Sequence, residues 1–168
     1  MVQTNEPLLR VRGLKQYFPV SKKFTVRAVD NISFDIYPGE TYGLVGESGS
    51  GKSTTGRSII RLYDPTEGTI LFNGEDISKK LTAKQEKMLR SDMQMVFQDP
   101  MASLNPHKKI LDTIAMGLDA HHPHMNPKER VERVAKMMEM VGLNPAYMNR
   151  YPNQFSGGQR QRIGLGRA

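Results

Sequence analysis

Eight consecutive residues, Gly46-Glu47-Ser48-Gly49-Ser50-Gly51-Lys52-Ser53, combine the types needed to hold a polyphosphate. Glycines at three of these positions let the backbone curl until successive N–H groups converge on phosphate oxygens. A helix starting near Lys52 adds the positive end of its dipole. At this spacing the Lys52 ammonium reaches β- and γ-phosphates and the Ser53 hydroxyl is placed to hold Mg²⁺; Thr54 completes the contact run. The loop works only between a strand and a helix. Thr41-Tyr42-Gly43-Leu44-Val45 reads as a short buried strand leading in, and Ile59, Ile60 and Leu62 recur at helical spacing beyond it.

A second stretch, Phe155-Ser156-Gly157-Gly158-Gln159-Arg160-Gln161-Arg162, also points to anions. Ser156 is a good N-cap for a helix starting at Gly157, and two glycines there leave backbone N–H groups open at the positive helix end. The histidines are less informative. His121, His122 and His124 could supply metal ligands, but a solvated loop is the better reading of a His-His-Pro-His run.

The elements that must position these residues come in two blocks. Residues 8–18 and 28–36 alternate as strands, with Leu9, Val11 and Gly13 on one face of the first and Val29, Ile32, Phe34 and Ile36 inside on the second. Thr69 to Phe72 is a strand closed by Asn73-Gly74, a hairpin turn. Thr82 to Arg90 is helical, and Met93 to Phe97 is a short apolar strand ending at Gln98. From Asp99 the pattern turns helical. Ile110 to Leu118 is one helix. Asn126 to Val141 is another, with Asn126 as cap, Pro127 in the first turn, Glu129 completing a capping box, and Val131, Val134, Ala135, Met138 and Val141 on its apolar face. Gly142 stops it. The predicted division is residues 1–98, an α/β part with the phosphate loop, and 99–168, a helical part.

Bulk composition narrows the classes. The 168 residues suffice for about one domain. There are no cysteines, so disulfides and thiolate metal sites are excluded. No signal-peptide pattern opens the chain, and no apolar run approaches the ~18 residues of a membrane span. The net charge of +7 is scattered rather than gathered into a nucleic-acid footprint, so no nucleic-acid partner is expected.

Taken together, the motifs resemble those of the ATP-binding-cassette (ABC) ATPases. Gly46 to Ser53 matches their Walker A loop, Gln98 at the end of an apolar strand their Q-loop, and Ser156-Gly157-Gly158-Gln159 their signature, with Phe155 where Leu is commoner. The run Phe97-Gln98-Asp99-Pro100-Met101-Ala102-Ser103-Leu104-Asn105-Pro106 and Tyr151 to Arg162 are similar to the oligopeptide/dipeptide importer branch, and within it to the second ATPase subunit. Gly166 departs from the Ala usual there. The resemblance implies an α/β P-loop cassette, with a mixed sheet, an antiparallel β part and a helical part. It implies ATP and Mg²⁺ as ligands. Lys52 and Gln98 would serve catalysis, and Ser53 and Gln98 would serve Mg²⁺. Phe18, with Tyr17 as the alternative, would stack on adenine. Ser156, Gly157, Gly158 and Gln159 would act in trans on ATP held by a second cassette, expected to be a homologue in a head-to-tail dimer. Further implied partners are transmembrane permease subunits, met near residues 99–106, and indirectly an extracellular or periplasmic solute-binding protein. The implied location is the cytoplasmic face of the membrane.

The family's Walker B strand with its Asp and catalytic Glu, and its switch His, find no match. Asp64, Asp76, Asp92 and Asp112 do not end an apolar strand followed by Glu, and all four histidines precede the signature. The chain thus reads as truncated after the signature, with an incomplete core. The alternatives are a soluble non-transport ABC ATPase and a nucleotide-binding fragment without turnover. The expectation is concrete: the isolated 168-residue chain hydrolyses Mg-ATP poorly, because groups that activate water are absent from it. Normal turnover by this chain in a phosphate-release assay would refute that.

Overall fold

A computed structural model describes residues 6–97 and 104–168. They form two compact units dividing between Met93 and Gln94, each with its own apolar core.

In the first unit, β1 (Leu9–Ser21) and β2 (Phe24–Ile36) make a long hairpin. β1 also pairs with β3 (Glu67–Phe72), which turns through Asn73-Gly74 into β4 (Glu75–Asp76). The order is β2-β1-β3-β4, antiparallel throughout. Asn73 at φ 50° and Gly74 at φ 79° give the left-handed pair that a two-residue hairpin demands.

The alternation of β1 changes phase partway. Leu9 and Val11 point inward, but Gly13 takes φ 59° beside Asn31, and the register shifts between Val11 and Leu14. This bulge turns Leu14 and Gln16, not Gly13, into the interior. Val29 is buried on β2, while Ile32, Phe34 and Ile36 are partly buried against the same core of Val11, Leu14, Ile70, Phe72, Ile77 and Leu89.

Two helices complete this unit: α1 (Lys52–Ile59) and α2 (Ala83–Asp92). Thr82 and Gln85 start α2 with a reciprocal capping box.

Two predicted strands do not form. Thr41 to Val45 and Met93 to Phe97 have no place in the four-stranded sheet, so the parallel strands of a mixed sheet are not among its members. A strand exists through its ladder partners. Lacking one, Val45 is 93% exposed, and Tyr42 instead stacks its ring on Phe34 at 5.0 Å.

The second unit packs α3 (Ile110–His121), α4 (Pro127–Met140) and α5 (Gly157–Arg167) around Ile110, Ile114, Val134, Met138, Phe155 and Ile163. The N–H groups of Ile110 and Leu111 donate to the carbonyls of Arg150 and Met148, at 2.9 and 2.8 Å, so the segment before α5 closes the start of α3. Asn126 caps α4 by accepting from the Lys128 N–H. Glu129 does not complete a box; its carboxylate meets Arg133 one turn on, at 2.7 Å. Val131 is likewise exposed, because the buried stripe of α4 centres on Val134 and Met138. No helix among the described residues is long and apolar enough to cross a membrane.

Arg130 ties α4 to α3. Its guanidinium donates to both oxygens of Asp119, at 2.7 and 2.8 Å, and to Asp112 at 3.1 Å. These bonds hold the Asp119 carboxyl below the usual carboxylate range. A lowered folded value means the stabilisation is present above the unfolded value of about 3.9 and is lost as pH falls through the folded one. Since Asp119 is half exposed, the pair contributes at most about 1 kcal/mol. Arg130→Met is therefore expected to lower stability at neutral pH by about that amount, with the deficit shrinking below about pH 4. Denaturant melts at both pH values check this, and a pH-independent deficit would count against it.

Candidate functional site

The phosphate loop is built from the start of α1 backwards. Gly51 is the N-cap, left-handed at φ 90°, and Gly49 is left-handed at φ 83°. Between them the Ser50 N–H donates to the Glu47 carbonyl at 3.2 Å, closing a tight turn. Gly51 also lies against β2, where an added Cβ would run into the Ala28 carbonyl. Both backbone angle and space therefore demand glycine here.

Lys52 folds back over the turn it follows. Its Nζ donates to the carbonyls of Gly46 and Glu47, at 2.7 and 2.5 Å, and to the Ser50 hydroxyl at 3.2 Å. All three acceptors are uncharged, so the ammonium keeps its charge for an anionic ligand. No side chain caps α1, which leaves the first N–H groups of the helix for the same ligand. Ser53 is exposed on the first turn, with Thr54 beside it. This donor set fits a polyphosphate, and the Ser53 hydroxyl is an oxygen ligand suited to Mg²⁺.

The two aromatic candidates are placed differently. Tyr17 donates its hydroxyl to Asp30 at 2.5 Å, which raises its phenol pKa, and its ring carries the Arg27 guanidinium at 5.5 Å. Phe18 is half-buried and meets Tyr63 edge-on, with ring centroids 5.2 Å apart. Across the hairpin Phe18 pairs with Val26, on the same stretch of β2 as the Ala28 that backs Gly51. The sheet thus brings an aromatic ring and the phosphate loop to one region of this unit. Gln98, Asp99 and the residues to Ser103 lie outside the described residues.

In the second unit Ser156 caps α5. Its hydroxyl accepts from the Gln159 N–H at 3.4 Å, and the Gln159 side-chain oxygen accepts from the Ser156 N–H at 2.9 Å. This use of Gln159 is signalled by the Ser-x-x-Gln spacing. Gly157 and Gly158 are exposed, with nothing near where a Cβ would stand, so the helix start is open to a large ligand. Phe155 buries beneath it, 4% exposed, against Tyr147, and its carbonyl takes the Arg160 Nε at 2.8 Å. No group of three metal-binding side chains forms among the described residues, the histidines at 121, 122 and 124 included.

A third polar feature has no signal in the sequence pattern. The Ser58 hydroxyl on α1 is fully buried and donates to the Gln16 side-chain oxygen on β1 at 3.1 Å. Nothing in local spacing marks Gln16 as interior, because the bulge at Gly13 sets its direction.

Against known proteins, the family described as "ABC transporter" matches residues 29–168. The oligopeptide transport ATP-binding protein OppF of Bacillus subtilis is 58% identical over 163 residues, covering 97% of this chain and 53% of its own length. The dipeptide transport ATP-binding protein DppF of Lactococcus lactis is 48% identical, covering 96% and 52%. The chain spans about half the length of the curated relatives it matches. Among solved structures, the ATP-binding cassette MJ0796, described as a dimer in a post-hydrolysis state bound to ADP and Pi, superposes with a TM-score of 0.84 at 28% identity, covering 95% of this chain and 68% of that one.

If Lys52 supplies the charge, Lys52→Ala weakens Mg-ATP binding roughly tenfold to a hundredfold, the worth of a charge-assisted hydrogen bond or two. Calorimetric titration reads this directly; an unchanged affinity would show that the loop binds without its lysine.

Proposed function

The chain belongs to the ABC transporter family of ATP-binding cassettes, and from that premise we propose that it is the ATP-binding part of an importer for oligopeptides or dipeptides. The observation that carries the reading is the loop at Gly46 to Ser53, with Lys52 folded over its own backbone oxygens and the α1 start left open. The peptide class is supported by the oligopeptide and dipeptide transport roles for which the relatives are named, and by nothing in the loop itself.

Bound Mg-ATP supplies the phosphoryl group and the cation that screens it. The residues of this chain bind and orient. Lys52 would neutralise charge on the phosphates while the N–H groups of the loop donate to them, Ser53 with Gln98 would hold Mg²⁺, and Phe18 would stack on the base. In this reading residues 1–98 carry the nucleotide. Residues 99–168 carry the signature, whose Ser156, Gly157, Gly158 and Gln159 address the γ-phosphate of a nucleotide held by a second, homologous cassette. ATP closes that head-to-tail pair, and hydrolysis reopens it. The dimer described for MJ0796 supports the pairing. Permease subunits would receive the motion at the cytoplasmic face of the membrane, with a solute-binding protein beyond it.

The test is uptake. Disrupting the gene is expected to abolish import of a radiolabelled tripeptide, with rescue by the wild-type gene and none by one carrying Lys52→Ala. Unimpaired import after disruption would overturn the peptide assignment.

A further inference from the structure

We propose that Gln16 and Ser58 are positioning residues, which set the spacing between the base-stacking strand and the phosphate loop and thereby select for a nucleotide over a bare polyphosphate. The inference rests on the nucleotide reading above.

Ser58 is fully buried and Gln16 is 4% exposed. The Ser58 hydroxyl lies 3.1 Å from Gln16 Oε1 and 2.9 Å from the Thr54 carbonyl, and its single proton is shared between these two acceptors. A directional polar bond inside an apolar interior fixes separation and orientation more narrowly than apolar packing does. The bond falls where it is needed. Register shifts flank Gln16 on both sides before regular pairing with β2 resumes from Tyr17 to Pro19, so the bond braces the irregular point of the ladder.

The strand beyond Gln16 is also held by the segment that follows α1. The Tyr17 N–H donates to the Thr66 hydroxyl at 2.9 Å. Phe18 meets the ring of Tyr63, whose own N–H donates to the Arg57 carbonyl at the end of α1. At the other end of the helix, Gly51 abuts Ala28. A continuous path therefore runs from Phe18 through Gln16 and Ser58 to Thr54, in the phosphate-contacting run. ATP touches both ends of this path, through its base and its phosphates. Inorganic tripolyphosphate touches only one.

Titrating the full chain with Mg-ATP and with Mg-tripolyphosphate separates the ends. Ser58→Ala and Gln16→Met are each expected to weaken ATP roughly fivefold to tenfold, the worth of one buried hydrogen bond, while tripolyphosphate changes less than about twofold. The double variant removes both polar partners, so its melting temperature recovers toward wild type while its preference for ATP stays reduced. Equal losses for both ligands, or recovery of the preference together with stability, would overturn the positioning role and leave the nucleotide reading intact. A wild-type chain that holds tripolyphosphate as tightly as ATP would overturn the base contact and this inference with it.

Discussion

The close approach of Gly51 to the Ala28 carbonyl is the constraint on which the loop at Gly46 to Ser53 depends. A phosphate cradle needs its backbone held in a left-handed turn against something that cannot yield, and β2 is that surface. β2 in turn keeps its place through the long ladder with β1, and β1 through β3. The antiparallel sheet is therefore part of the site, although it contributes no phosphate ligand.

The glycine-rich helix starts of α1 and α5 are capped in opposite ways. At α1 the cap is a glycine without a side-chain acceptor, so the helix end stays electropositive and Lys52 adds a charge. At α5 the Ser156–Gln159 box satisfies two donors internally. What remains open is the backbone at Gly157 and Gly158, with no side chain in the way. The first arrangement suits a strongly charged anion approached from one side. The second presents fewer free donors and a flat approach, which suits a group already held elsewhere.

Much of this was legible because it is local. The phosphate loop, the Ser156 cap, the Asn73-Gly74 hairpin and the Asn126 start of α4 all follow from residues within a few positions of one another. What sequence spacing misjudged depends on partners far along the chain. Glu129 has the spacing of a capping box, but Arg133 outcompetes the cap. Gly13 sits at an inward position by alternation, but the bulge beside Asn31 reverses the phase and carries Gln16 inside. Thr41 to Val45 and Met93 to Phe97 are apolar enough for strands, yet apolarity does not supply a ladder.

The unladdered segment before the loop sharpens how the cradle is held. Here residues 41–45 have no place in the sheet and Val45 is almost fully exposed, yet the turn at Glu47 to Ser50, the left-handed Gly49 and Gly51, and the lysine contacts are all formed. The bonds that define the loop come from within it and from α1, and its hard backing comes from β2.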